Sequence, residues 1–166
     1  MLVLPKPGGY LTRDNNCTVR VWDNHGSFHA LGSGNTAVTG YVYCVAVGPS
    51  GDIVTGCADG SVKVWRDNTL LFSFNAHTQA IIAVAVSPRD GTIVSCSTDR
   101  KAKVWNESTG ECVATLEGHT ALIYATCVLD TGDVVTGSPD KTVRVWERGS
   151  WTCTAVCDFP LSVCAL

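Results

Sequence analysis

Four tryptophans, Trp22, Trp65, Trp105 and Trp146, stand 43, 40 and 41 residues apart, and each closes a near-copy of one phrase: NNCTVRVW, DGSVKVW, DRKAKVW and DKTVRVW. A phrase repeated at a near-constant period of this length implies a row of like supersecondary units, each too small to bury its own apolar face and stacked on its neighbours to do so. Two further residue types keep the same register. A hydroxyl residue lies ten places before each tryptophan (Thr12, Thr55, Ser95, Thr136), and a turn acid lies six places before the last three (Asp59, Asp99, Asp140), with Asn16 in the first unit.

Between the copies, short apolar runs alternate with turn residues. The third unit reads AIIAVAV, the turn Pro88-Arg89-Asp90-Gly91, TIVSCS, the turn Thr98-Asp99-Arg100, KAKVW, the turn Glu107-Ser108-Thr109-Gly110, and CVATL. That pattern predicts four strands in an up-and-down meander and an all-β chain with almost no helix. The runs are apolar nearly throughout, as in a sheet covered on both faces by neighbouring sheets. All six prolines fall outside the expected strands, where they would cost a ladder hydrogen bond. The units are expected at 1–33, 41–75, 80–118 and 122–158, with a stub strand at 161–166, in one partial domain spanning 1–166.

Composition narrows the function. The 166 residues are 45% hydrophobic and 16% charged, with 12 Lys plus Arg against 15 Asp plus Glu and a net charge of −3. Neither sign gathers into a block, so a phosphate-tracking surface for DNA or RNA is not expected. The longest apolar run, residues 80–86, is far below the roughly 18 residues of a membrane-spanning helix, and MLVLP lacks the basic flank and apolar length of a secretory signal. Nine cysteines are an odd number. Cys44, Cys57, Cys96, Cys112 and Cys127 lie in apolar strand-like runs and are read as reduced core thiols of a cytoplasmic or nuclear protein.

A unit of about 40 residues with four strands, ending in Val-Trp and preceded by a Gly-His-like dipeptide, resembles the WD-repeat β-propeller. The dipeptide is Gly118-His119 before the fourth unit and Ala76-His77 before the third; only Trp22-Asp23 keeps the literal Trp-Asp pair, since Arg66, Asn106 and Glu147 follow the other tryptophans. The resemblance implies a hydrogen-bonded chain of histidine, hydroxyl, turn aspartate and tryptophan. It would comprise His77, Ser95, Asp99 and Trp105 in the third unit, and His119, Thr136, Asp140 and Trp146 in the fourth. The second unit keeps Thr55, Asp59 and Trp65 but has no histidine, and the first has Thr12, Asn16 and Trp22. These two are expected to be the less rigid.

The same residue types make hydrolase triads, yet here they recur in register with the repeat, no glycine elbow presents the hydroxyl, and a tryptophan closes each set. The chain is therefore read as no enzyme, with no catalytic residue and no cofactor. Cys112 near His119 as a nucleophile pair, His25 with His29, and Cys153 with Cys157 and Cys164 as metal ligands are weighed and set aside. The pairs sit in turns and strands without a second ligand pair at metal spacing. Arg20, Lys63, Lys103 and Arg144 all precede a tryptophan by two, and a position repeated in every unit points to architecture.

Surface remains as the functional element. In a propeller the turns between second and third strands and the starts of the first strands ring one opening. Those positions include Asp14, Arg100 and Lys141 with Tyr43, Ile82 and Tyr124, a set expected to anchor a protein partner, since aromatic side chains dominate interface hot spots. The expected function is a protein-interaction scaffold; the alternative is a structural subunit of a large assembly whose neighbours cover the open blade edges. TGEC (Thr109 to Cys112), Gly118-His119-Thr120, Ile123-Tyr124, Trp146, Gly149, Pro160 and Ser162 are similar to late blades of the ubiquitin-binding phospholipase-activating family, which implies ubiquitin as a partner. Four units are fewer than the ring of about seven usual for WD repeats. The expectation is an open arc, either an excerpt of a longer ring or a half-ring that pairs with another copy or subunit.

Overall fold

The computed structural model describes residues 2–3, 9–13, 19–23, 25–31 and 41–165. They form four antiparallel sheets of four strands each and, among the described residues, no helix. Blade one holds β1 (Leu2–Val3), β2 (Gly9–Arg13), β3 (Val19–Asp23) and β4 (Phe28–Ala30). Blade two holds β5 (Val42–Val47), β6 (Ile53–Cys57), β7 (Ser61–Arg66) and β8 (Thr69–Asn75). Blade three holds β9 (Ile81–Val86), β10 (Ile93–Ser97), β11 (Ala102–Trp105) and β12 (Cys112–Leu116). Blade four holds β13 (Ala125–Val128), β14 (Val134–Gly137), β15 (Thr142–Trp146) and β16 (Cys153–Asp158). Within each blade every strand pairs with the next in sequence, and the first strands β5, β9 and β13 lie side by side.

The repeated phrase is a two-faced strand. In β7, Val62 and Val64 pack toward blade three with Ile81, Ile93 and Trp105, whereas Trp65 packs toward blade one with Leu11, Val19 and Leu31. In β11, Ala102 and Val104 face Ile123, Val134 and Trp146 of blade four. Trp65, Trp105 and Trp146 are thus each the wedge between their blade and the one before. Period-two alternation places the cation two residues earlier on the same face. Lys103 donates from Nζ to the Ala76 carbonyl at 2.9 Å and lies 5.6 Å from the centre of the Trp105 ring, which explains why a cation recurs there.

Burial follows position in the blade. The second strands β6 and β10 are buried at every residue, while the outer strand β8 alternates strictly between exposed and half-buried positions. The expectation of sheets covered on both faces therefore holds for inner strands only. It fails for Cys112, expected in the core: this thiol is exposed because β12 is an outermost strand. Cys57 and Cys96 are buried, and Cys44 and Cys127 are half-buried. Residues 161–165 form no ladder strand, but the Val163 N–H donates to the Ser138 carbonyl at 3.1 Å, as the Ile123 N–H does to Ser97 one blade earlier at 3.3 Å.

Bulges recur at two places. At Trp65, Trp105 and Trp146 the register to the outer strand slips, leaving Leu71, Val113 and Thr154 as extra residues. First strands slip at Tyr43 in β5 and Ile82 in β9. In blade four both Tyr124, through its N–H, and Ala125 address Gly137. A bulge re-aims the extra side chain and bends the strand.

The turn between second and third strands carries a left-handed residue in blades two, three and four: Gly60 (φ 81°), Arg100 (φ 71°) and Lys141 (φ 69°). Only blade two requires glycine for space, since a Cβ on Gly60 would lie 2.2 Å from the His77 carbonyl oxygen. Gly60→Ala is expected to cost about 2–4 kcal/mol, combining backbone strain with a backbone clash. Arg100→Gly should stay within about 1 kcal/mol of the parent, because relief of the left-handed strain offsets the freer unfolded chain. Urea unfolding measures both, and equal costs would contradict the described packing of Gly60 on His77.

Candidate functional site

Two constellations stand out, one inside the blades and one on their rim. Inside blade three, the Trp105 indole N–H donates to Ser95 Oγ at 2.8 Å, Ser95 Oγ lies 2.8 Å from His77 Nε2, and His77 Nδ1 lies 2.8 Å from Asp99 Oδ2. Blade four repeats it with Trp146 to Thr136 at 2.9 Å, Thr136 to His119 at 2.9 Å and His119 to Asp140 at 2.7 Å. One proton per group satisfies the chain when the imidazole is neutral. The indole donates to the hydroxyl, the hydroxyl to Nε2, and Nδ1–H to the carboxylate. This arrangement fixes side chains and leaves no hydroxyl free to attack a substrate.

The carboxylates also hold their turns. Asp99 Oδ1 accepts the Lys101 N–H, and Asp140 Oδ1 accepts the Thr142 N–H and hydroxyl while Oδ2 accepts the Thr120 N–H. Blade two stops short. Trp65 donates to Thr55 at 3.1 Å, but Asp59, which is exposed, accepts at Oδ1 the N–H and hydroxyl of Ser61 and meets no histidine among the described residues. In blade one Trp22 donates to Thr12 at 2.7 Å; Asn16 and Asp14 lie outside the described residues.

Electrostatics follow from burial. Desolvation lowers the pKa of His77 and His119, against the opposing pull of Asp99 and Asp140. Burial alone would raise the Asp140 carboxyl, but hydrogen bonds from Thr142, His119 and the Thr120 amide hold it far below the usual carboxylate range. Burial pushes the Cys96 thiol up to about 12, so it is no nucleophile.

The rim positions share one end of the blades. The Ala58 N–H donates to Tyr41, Thr98 to Ala80 and Tyr124 to Gly137, which ties each first-strand start to the turn or strand end beside it. Tyr43 and Tyr124 are 41% and 45% exposed, Ile82 is half-buried, and Arg100 and Lys141 are exposed. Sequence reasoning did not find the bulges that turn Tyr43 and Ile82, nor the fit between Gly118 and Arg144. A Cβ on Gly118 would lie 2.6 Å from Arg144 Nη1, whereas the equivalent Ala76 faces the slimmer Lys103. The covariation of Ala76 with Lys103 and of Gly118 with Arg144 was the available signal. Among the described residues no cluster of His, Cys, Asp and Glu suits a metal ion.

Residues 30–66, 68–106 and 110–147 match the family described as WD domain, G-beta repeat. With more than half its length so matched, and with its described residues forming sixteen strands in four blades, the chain belongs to the WD-repeat β-propeller family. It is 26% identical over 132 residues to nuclear distribution protein nudF 1 of Talaromyces marneffei, covering 74% of this chain and 28% of that protein. It is 36% identical over 90 residues to protein tipD of Dictyostelium discoideum, covering 50% and 14%. Among solved structures, the WD40 β-propeller domain of Doa1 superposes with a TM-score of 0.82 at 27% identity, over 96% of this chain and 54% of that one. U3-55K superposes with a TM-score of 0.89 at 25% identity, over 98% and 52%. The chain thus spans about half of each solved chain and about a quarter or less of the two curated relatives.

The histidines make stability pH-dependent with a definite sign. Because their folded pKa values lie below the unfolded one, the unfolded chain takes up protons first on acidification. Their contribution is complete above about pH 6.5 and falls as pH drops below it, by at most about 1.4 kcal/mol per histidine per pH unit. The Asp140 contribution is lost only in further acid, below its unfolded value of 3.8. The expected result is a melting temperature that falls from pH 7 to pH 5 in the parent and falls less steeply in a His77→Asn, His119→Asn variant; parallel curves would contradict it.

Proposed function

We propose that this chain is a non-catalytic protein-interaction scaffold that engages its partner through the rim carrying Tyr43, Ile82, Tyr124, Arg100 and Lys141, with Asp14 as a further candidate. The observation that carries this reading is the exposure of Tyr43 and Tyr124, 41% and 45%, at the same end of blades two and four, beside turns whose histidine-linked aspartates in blades three and four are held in the blade networks. An aromatic residue at a bulge presents large, stiff contact area at small entropic cost. Membership of a repeat family of interaction scaffolds supports the same conclusion.

Ubiquitin is the finer reading of the partner, supported by the similarity of the third and fourth units to the ubiquitin-binding phospholipase-activating family. No residue here is assigned to contact it. We place the protein in the cytoplasm or nucleus, a reading supported by the buried thiols of Cys57 and Cys96 and by the nuclear distribution relative. A second reading, a structural subunit of a large assembly, is favoured by Val156, Phe159 and Leu161, which are exposed along and just after β16.

Tyr124→Ala separates these readings. On a scaffold it should reduce partner capture, tested with immobilised ubiquitin and with lysate followed by mass spectrometry, by about tenfold while the melting temperature stays within a few degrees. Unchanged capture, or a large fall in melting temperature, would return Tyr124 to an architectural role.

A further inference from the structure

We infer that the segment docking on the rim at blades three and four is acidic, its carboxylates received by Arg100 and Lys141 and an adjoining apolar side chain by Tyr124. This rests on the reading of the rim as a protein-docking surface and adds the chemistry of what it receives. Asp99 and Asp140 spend both oxygens inward, on the histidines and on the amides of their own turns. The next residue in each turn is a cation, lifted outward by a left-handed backbone. Both cations are exposed, and neither joins an ion pair among the described residues. Lys101, one residue on, is by contrast neutralised by Glu117 at 2.7 Å.

Blade two shows the opposite polarity at the same turn. Gly60 replaces the cation, and Asp59, lacking a histidine, stays exposed with its charge outward. The rim is therefore basic over blades three and four and acidic over blade two, on a chain whose net charge is −3. Arg100 also lines an open hollow of about 600 Å³ together with Lys101 and Lys103, and the two carboxylates of that hollow, Asp99 and Glu117, are already engaged by His77 and Lys101. Tyr124 lies at the start of blade four, just after Ile123, whose N–H is bonded to Ser97 of blade three, and its own N–H is bonded to Gly137, so its backbone ties the end of the strand before each cationic turn to one exposed aromatic residue. Complementary charge of this kind orients a partner and excludes the wrong one more than it adds affinity.

The probe is a random dodecapeptide library displayed on phage and panned against the folded chain, the Tyr124→Ala variant and an Arg100→Glu, Lys141→Glu variant, each first checked by thermal melting. The expected result is enrichment of Asp and Glu among peptides that lose binding on Tyr124→Ala. Those peptides should bind the charge-reversed variant about tenfold or more weakly, and panning on that variant should instead enrich Lys and Arg. Peptides that depend on Tyr124 but carry no acidic bias would overturn this inference and leave the docking reading intact. Absence of any Tyr124-dependent peptide would overturn both. Tighter binding of a labelled single-stranded RNA than of the selected peptides would also overturn it, identifying the cations as phosphate contacts.

Discussion

The bond from an indole N–H to a strand hydroxyl, passed through a neutral imidazole to a turn carboxylate, is the interaction on which blades three and four depend. Each tryptophan wedges its blade against the preceding one, so it must bury a ring that carries a polar N–H. Burying that N–H unpaired would cost on the order of 1–3 kcal/mol. The hydroxyl, itself fully buried, solves the tryptophan's problem and creates its own, and the imidazole does the same one step further out. The chain ends only where Asp99 or Asp140 reaches the turn and its charge is met by backbone amides. A polar network completed in this way is rigid, and the loss of one member strands the others.

The same network shapes the surface. An aspartate that faces inward leaves the outward charge of its turn to the next residue, and in blades three and four that residue is a cation, Arg100 or Lys141. Blade two, without a histidine, keeps its aspartate exposed and gives the turn to glycine. Rim charge thus follows from two features of the core: whether a histidine draws the turn aspartate inward, and whether the next connection leaves room for a side chain beside it, as it does not at Gly60. The bulges at Tyr43 and Ile82 complete the picture, adding apolar side chains among the charged turns.

Much of the fold was legible because the repeat states it several times. Tryptophan spacing gave the number of units, and the strand bounds of the third unit fall within one residue of those expected, CVATL coinciding with β12. The network was legible because hydroxyl, acid and tryptophan hold fixed offsets from one another. The bulges were not, because a two-against-one register leaves no composition signal in a run of small apolar residues such as YVYCVAV. Cys112 misled because a β-branched, apolar neighbourhood looks alike on an inner strand and on an outer one. The cation before each tryptophan was recognised as architectural, but its partner, the carbonyl of Ala76 in the case of Lys103, is 27 residues away and on the preceding connection.

The tautomeric state of the two buried histidines tests the account most directly. Long-range proton–nitrogen correlation spectra of the imidazoles, recorded from about pH 7.5 to about pH 5.5, report which ring nitrogen carries the proton. The account predicts that His77 and His119 remain neutral and protonated on Nδ1 down to below pH 6.5, each with a slowly exchanging proton shared with its aspartate. An Nε2–H tautomer at either residue, or a charged ring already at neutral pH, would contradict the proton order that links tryptophan to carboxylate.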